Sequence, residues 1–87
     1  MIYTKDNLKL VNCFCCFQDK KTFTGVAKDK ENDIAYYLNG KFHRENGPAI
    51  EYSDGGKSWY LNGIICGFDD DYTNESWIRF TKLLLLK

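Results

Sequence analysis

The sequence has few of the residues that mark an enzyme, a nucleic-acid binder or a membrane protein. It contains a single histidine and a single proline, and its twelve Lys and Arg balance twelve Asp and Glu, so the net charge is zero. Tight nucleic-acid binding needs a basic surface, so nucleic acid is not a favoured partner. The first ten residues carry charges where a secretory signal would be apolar. The leucines at 83–86 are far fewer than the ~20 residues of a membrane span. These features predict a cytoplasmic protein without membrane contact.

Aromatic residues, by contrast, are abundant. They make up 16% of the 87 residues, within a hydrophobic content of 44%. Such a composition excludes disorder and favours β-strands. A chain of this length has room for one modest core. We therefore expect one domain over residues 1–87.

A repeated word lies in the middle of the chain. YYLNG at 36–40 and WYLNG at 59–63 are 23 residues apart. A fainter match aligns 24–40 with 46–63 if one residue is gained in the turn, which pairs Gly25 with Gly47 and Ala27 with Ala49. A fixed period of this size predicts stacked supersecondary units.

Each unit has the pattern of a β-hairpin. Asp54-Gly55-Gly56 and the two Asn-Gly steps are strong turn signals, because these residues accept a positive φ. The segments between them alternate in polarity, as strands do. We predict an antiparallel meander of six or seven strands, near 9–18, 22–29, 34–38, 41–44, 48–53, 57–61 and 64–68. Residues 22–68 form the hairpin repeats and residues 1–21 a divergent N-terminal strand region.

One helix is predicted at the C-terminus, over residues 73–86. Thr73 or Asn74 can cap it, and apolar residues recur at helical spacing at Trp77, Phe80, Leu83 and Leu84. A sheet with an apolar face needs a cover, and this helix is the available one. The predicted fold is α+β, with the helix packed on one face of the sheet.

The alternation also assigns side chains to the two faces. The face under the helix is expected to carry Tyr36, Leu38, Ile50, Tyr52, Trp59 and Leu61. The other face then carries Tyr37, Tyr60 and Glu51. Two tyrosines one repeat apart on an open face resemble a binding platform, because Tyr is enriched in contact surfaces and stacks on bases. The alternative is ordinary cross-strand pairing of exposed aromatics.

The segment from 36 to 63 resembles a known repeat family. YYLNGKFHRENGPAIEYSDGGKSWYLNG is similar to the MORN-variant repeat, whose pattern is roughly Y-x-N-G-x-x-H-R-x-x-G-P-A-x-x-Y-x-D-G-x-K-x-W-Y-x-N-G. Residues 1–21 and IICGF depart from that pattern. The resemblance implies a β-hairpin repeat protein without known catalysis. A short chain with this motif also resembles antitoxin-like proteins and small phage proteins that bind and neutralise a host factor.

His43, Arg44 and Glu45 are the candidate site within this motif. Histidine titrates near neutrality and arginine binds oxyanions, which suits acid–base or phosphate chemistry. However, no nucleophile, second histidine or phosphate-binding glycine loop accompanies them. The structural alternative has Arg44 stacked on an aromatic ring and His43 bonded to a turn backbone. A third alternative is contact with a partner.

The cysteines offer a weaker hypothesis. Cys13 and Cys16 have C-x-x-C spacing and, with Cys66 and His43, could supply the four ligands of a zinc site. On a regular strand, however, Cys13 and Cys16 face opposite sides. We therefore expect no metal and no cofactor, with the cysteines as reduced thiols.

These observations predict a non-enzymatic protein-interaction module, and the resemblance implies a small viral or phage inhibitor that binds and neutralises a host defence or toxin protein. The candidate partner-binding residues are Tyr37, Tyr60, Glu51, His43, Arg44 and Lys57. A small-ligand, nucleotide or RNA binder with an exposed tyrosine face is the alternative. A homodimer through a sheet edge or the C-terminal leucines is a further expectation, because open edges recruit strands.

Overall fold

A computed structural model describes residues 8–12, 14 and 23–85. These described residues include seven strands, a short 3₁₀ helix and one α-helix. The strands are β1 (Leu8–Leu10), β2 (Gly25–Lys28), β3 (Ile34–Leu38), β4 (Lys41–Phe42), β5 (Ile50–Glu51), β6 (Lys57–Leu61) and β7 (Ile64–Phe68). The 3₁₀ helix covers Asp69–Asp71, and α1 covers Asn74–Leu85. The predicted α+β class is confirmed.

The strands form one sheet in the order β1-β2-β3-β5-β6-β7, and β4 also pairs with β3. All pairs are antiparallel except β1 with β2, which is parallel. The expectation of a wholly antiparallel meander is therefore wrong at its first strand. Fourteen residues, 11–24, separate β1 from β2, and a connection of that length permits a parallel crossover. The predicted first strand also ends at Leu10, and residues 13 and 15–18 lie outside the described part.

β4 and β5 lie one after the other along the same side of β3. Tyr37 pairs with Phe42 of β4, and Ala35 pairs with Ile50 of β5. The strands predicted at 41–44 and 48–53 are thus shortened to two residues each. Residues 43–49 connect them as a loop, which we call the His43 loop.

Two apolar clusters lie on opposite faces of the sheet. One holds the buried side chains of Ala27, Ala35, Tyr37 and Ile50, with Val11, Phe14, Phe23, Phe42 and Tyr60 packed around them. We call its face the tyrosine face. The other holds Trp59, Leu61 and Trp77, with Cys66, Tyr72 and Phe80, and its face is the helix face.

The assignment of β5 to these faces was wrong. Ile50 pairs with Ala35 and Ser58, which share a face with Tyr37 and Tyr60. The Tyr52 hydroxyl lies 3.1 Å from Ser58 Oγ, so Tyr52 is on the tyrosine face too. Glu51 is on the helix face, where its Oε1 accepts a bond from Tyr36 at 3.2 Å. The hydrophobic pattern predicted the opposite faces for Ile50 and Glu51, but the cross-strand register determines which face each side chain occupies.

The helix begins as the sequence predicts. Thr73 is the N-cap: its Oγ1 accepts the Ser76 N–H at 3.1 Å, and its own N–H donates to Ser76 Oγ at 2.9 Å. This reciprocal pair satisfies two backbone donors at the helix start. Trp77 is fully buried, but Leu83 and Leu84 are exposed. The predicted apolar stripe therefore extends past the part of the helix that the sheet covers.

Candidate functional site

The two Asn-Gly turns have the same backbone conformation. Asn39 and Asn62 both have φ of 51°, and Gly40 and Gly63 both have φ of 81°. Positive φ at both central residues is the mark of a type I′ hairpin turn, which matches the twist of its strands. Each turn therefore leaves two backbone N–H groups pointing away from its own hairpin.

Two consecutive residues from earlier in the chain accept these N–H groups at each turn. The Gly40 N–H donates to the Phe23 carbonyl at 2.9 Å, and the Asn39 N–H donates to Thr24 Oγ1 at 3.0 Å. At the second turn, the Gly63 N–H donates to the Phe42 carbonyl at 2.8 Å. The Asn62 N–H donates to His43 Nδ1 at 2.9 Å. His43 and Thr24 therefore have corresponding roles.

His43 is held from both ring nitrogens. Its Nδ1 accepts a hydrogen bond from the Asn62 backbone N–H, so Nε2 carries the ring proton and donates to Glu45 Oε2 at 2.9 Å. The imidazole is 2% exposed. Binding to a turn backbone is the structural role predicted for His43.

Arg44 stacks on an aromatic ring, as the structural hypothesis predicts. Its Cζ lies 4.0 Å from the centre of the Tyr36 ring, within cation–π range. Its Nε donates to Asn46 Oδ1, its Nη1 donates to the Pro48 carbonyl, and Nη1 lies 3.5 Å from Glu51 Oε1. A Cβ on Gly47 would lie 2.9 Å from Cζ and Nη1. Gly47 therefore leaves the space that the guanidinium fills.

The His43 loop also positions the helix. Trp77 Nε1 donates to the Arg44 carbonyl at 2.8 Å, and Thr81 Oγ1 donates to the Glu45 carbonyl at 3.3 Å. Trp77 packs on Trp59 with ring centroids 5.3 Å apart. The backbone of the motif thus joins the helix to the sheet, while its side chains shape the loop.

The six predicted partner-binding residues do not form one surface. Tyr37 is only 1% exposed, with its ring stacked on Phe42 and edge-on to Phe14. Burial raises the pKa of Tyr37 to about 12. The expected platform of exposed tyrosines is therefore wrong at Tyr37, because the sheet is covered on this face as well. The alternation correctly placed Tyr37 opposite the helix but could not predict Phe14 above it.

The other predicted residues are divided between the faces. Tyr60 is half-buried on the tyrosine face, 5.1 Å from the Phe42 ring, and burial is the main cause that raises the pKa of Tyr60. Glu51 and Lys57 face each other across β5 and β6 on the helix face. The Lys57 N–H donates to Asp69 Oδ1 at 3.0 Å. His43 is buried and Arg44 largely so, which leaves Tyr60 as the predicted residue nearest an exposed apolar area.

That exposed area lies on the tyrosine face at β7. Ile65 pairs with Tyr60 and Phe68 pairs with Ser58, beside Tyr52. Phe68 is 58% exposed, Ile65 43% and Tyr52 38%. We call Tyr52, Tyr60, Ile65 and Phe68 the β7 patch. Sequence reasoning missed it, although the departure of IICGF from the family pattern was a signal of a distinct surface.

The zinc hypothesis has no support in the described residues. Within residues 8–12, 14 and 23–85, no group of three or more His, Cys, Asp or Glu could hold a metal ion. Cys66 is a free thiol whose Sγ donates to the Ile64 carbonyl at 3.5 Å, and burial raises the pKa of this thiol. Cys13 and Cys16 lie outside the described residues.

No protein-family model, curated protein or solved structure matches the chain. The resemblance to MORN-variant repeats therefore remains an expectation from the motif alone. Among the residues that the structure describes, none of the helices has the length and apolar character needed to cross a membrane.

Proposed function

We propose that the chain is a non-enzymatic protein-interaction module that binds a partner protein through the β7 patch. The observation that carries this proposal is the exposure of Ile65 and Phe68 on the same face of β7, opposite Tyr60 and Ser58. Single apolar side chains are common on protein surfaces, but adjoining ones that include aromatic rings favour a contact site.

The composition of the patch also fits protein recognition. Two tyrosine rings and a phenylalanine ring provide large contact area at a low cost in conformational entropy, and Tyr and Phe are enriched at the centres of interfaces. The Tyr52 hydroxyl is held near Ser58 Oγ, which fixes one ring in place before binding. A preorganised ring loses less entropy when a partner covers it.

His43, Arg44 and Glu45 support a structural role for the motif in this proposal. All three make their contacts within the domain: a turn, a tyrosine ring, the loop and the helix. Their arrangement stabilises the scaffold that presents the β7 patch. We therefore do not propose acid–base chemistry for them.

The resemblance to MORN-variant proteins of phages adds a proposal about the partner. We propose that it is a host defence or toxin protein, which the chain would neutralise by occupying its surface. This part rests on the motif at 36–63, and it is tested separately from the surface itself by co-expression with candidate toxins.

The proposal is tested by capture with matched variants. The wild-type chain, Phe68→Lys and Leu83→Lys are each used to retain proteins from a bacterial lysate. Phe68 and Leu83 are both strongly exposed, but Leu83 lies on the helix. A partner retained by the wild type and by Leu83→Lys but lost with Phe68→Lys is expected. Equal retention by all three chains would contradict the proposal.

The alternative of a nucleotide or RNA binder depended on Tyr37 and Tyr60 being exposed together. Because Tyr37 is buried among Phe14, Phe23 and Phe42, base stacking on both rings is not available. We do not propose this function. Nucleic acid that co-purified with the chain, seen as a raised ratio of absorbance at 260 nm to that at 280 nm, would reopen it.

A further inference from the structure

We propose that two copies of the chain associate through the outer edges of their β7 strands, antiparallel about a two-fold axis at Ile65. β7 is the last strand in the sheet, and none of the described strands lies on its outer side. Open strand edges pair with other strands unless charge, proline or a covering segment prevents it. This inference goes beyond the proposed function and does not depend on it.

The backbone of Ile65 is oriented for strand addition. Tyr60 pairs with Ile65 and Leu61 with Ile64, as Tyr37 pairs with Phe42 and Leu38 with Lys41. In a two-residue hairpin the residues beside the turn bond to each other, so the next residue points its N–H and C=O outwards. Ile65 therefore occupies in β7 the position that Phe42 occupies in β4.

At the corresponding position in β4, Phe42 has a neighbouring backbone segment on its outer side. The Phe42 carbonyl accepts the Gly63 N–H of the second Asn-Gly turn, and the Arg44 N–H donates to the Tyr60 carbonyl at 3.4 Å. The rings of Phe42 and Tyr60 pack 5.1 Å apart. The outward carbonyl at this position in β4 is therefore bonded by a neighbouring backbone segment within the molecule. At β7 the same geometry is repeated one hairpin later.

The rest of the β7 edge is already occupied, which fixes the register. The Phe68 N–H donates to Asp71 Oδ2 at 2.9 Å, and the Tyr72 hydroxyl donates to the Cys66 carbonyl at 3.3 Å. The pairing of β6 with β7 also has a β-bulge, where its register shifts between Trp59 and Tyr60. An added strand can therefore bond at Ile65 and little beyond it.

Charge identifies a second copy as the occupant. A two-fold axis brings each residue near its own counterpart, so a charged strand would repel itself. β7 has no charged residue, whereas β1 at the other edge has Lys9 at its centre. At the ends of β7, the acidic run Asp69–Asp71 follows the strand, and the Lys41 stem lies beside Gly63 before it. Antiparallel pairing brings these unlike ends together.

The pairing would also enlarge the β7 patch. A two-fold axis perpendicular to the sheet keeps the same face of both copies on one side. Ile65 of one copy then adjoins Ile65 of the other on the tyrosine face. The two patches become one continuous apolar surface.

The test compares association of the full chain with two variants of one residue. Sedimentation velocity is measured as a function of concentration for the wild type, Ile65→Lys and Ile65→Glu, with Leu83→Lys as the matched exposed control. The wild type and Leu83→Lys are expected to dimerise. Each Ile65 variant is expected to raise the dimer Kd roughly a hundredfold, because like charges meet at the axis.

Mixing the two variants tests the symmetry. Ile65→Lys and Ile65→Glu should form a mixed dimer when combined, since the axis places residue 65 opposite itself. A wild-type chain that stays monomeric at near-millimolar concentration would overturn the proposal. So would Ile65 variants that dimerise as the wild type does, a mixture that stays monomeric, or loss of the dimer in Leu83→Lys.

Hydrogen exchange on the unmodified chain gives a second readout that needs no variant. The Ile65 amide should exchange more slowly as concentration rises, because its N–H donates across the axis. The Ile64 amide, which faces β6, should not change. Equal behaviour of the two amides would overturn the assigned register, whatever the variants do.

Discussion

The two Asn-Gly turns have the same backbone angles and the same carbonyl acceptor from a phenylalanine, but they differ in the second acceptor. Thr24 serves the first turn and is exposed, whereas His43 serves the second and is buried. The first acceptor lies 15 residues before its turn and the second 19. The four additional residues belong to the His43 loop.

The difference shows how one hairpin can be adapted to carry a helix. In the first hairpin, Thr24 leads directly into β2. In the second, the chain leaves the sheet after His43, and the carbonyls of Arg44 and Glu45 accept bonds from α1. A longer loop needs a larger internal anchor, and an imidazole bonded at both nitrogens provides it.

The largest effect is expected at His43. His43→Ala should lower the free energy of unfolding by about 2–4 kcal/mol, because it leaves a cavity and a buried Asn62 N–H without its acceptor. Urea unfolding followed by tryptophan fluorescence measures the change. A loss no larger than that of Thr24→Ala would show that the two acceptors are equivalent, contrary to this interpretation.

Alkaline pH should separate Tyr37 from Tyr60, which hold matching positions in the two hairpins. The pKa of Tyr37 rises from 10.0 to about 12 on folding. The contribution of the neutral phenol to the free energy of unfolding is therefore complete below pH 10 and is lost as pH rises through 12. That loss is roughly 2–3 kcal/mol. Tyr37→Phe should remove most of this alkaline destabilisation. Tyr60→Phe, at the half-buried position, is the control and should remove less.

A smaller effect is expected at Gly47, which lies in the His43 loop that the first hairpin lacks. Gly47→Ala should cost about 1 kcal/mol, because the new Cβ displaces the guanidinium of Arg44 from Tyr36. The double variant with Arg44→Ala should be no less stable than Arg44→Ala alone, as thermal unfolding would show. Additive losses would mean that Gly47 acts through something other than Arg44.

The smallest effect is expected at Thr24. Thr24→Ala should cost about 0.5–1 kcal/mol, because water can replace the hydroxyl at an exposed turn. Thr24→Ser, which keeps the hydroxyl, should cost less in the same unfolding measurement. If Thr24→Ser lost as much as Thr24→Ala, the hydroxyl bond to Asn39 would not matter.

Local signals in the sequence predicted much of the fold. The turns at Asn39 and Asn62, strands β3, β6 and β7, and the capped helix all follow from short-range patterns. The contacts of His43 with a turn backbone and of Arg44 with an aromatic ring match the structural alternative, which the sequence left beside catalysis and partner contact. The sequence did not name the turn, which is 19 residues from His43, or the ring.

Other features depended on register and on distant segments. The alignment of the two repeat units paired Ala27 with Ala49. In the structure Ala27 lies opposite Ala35 and Ile50 lies opposite Ser58, so Ile50 is the residue that corresponds to Ala27. That one-residue slip reversed the faces of Ile50 and Glu51. The burial of Tyr37 depended on Phe14, far back in the chain. The β7 patch could not be predicted until both faces had been assigned.

The bonds from α1 to the His43 loop also bear on how quickly the chain folds. Trp77 reaches back 33 residues to Arg44, and Thr81 reaches back 36 to Glu45. Contacts of such long sequence separation form slowly, because a large loop must close before they contribute. The hairpins, whose turns are local, are expected to form first. Docking of the helix is then the late step. It buries Trp77 against Trp59, so a change in tryptophan fluorescence should report this step separately.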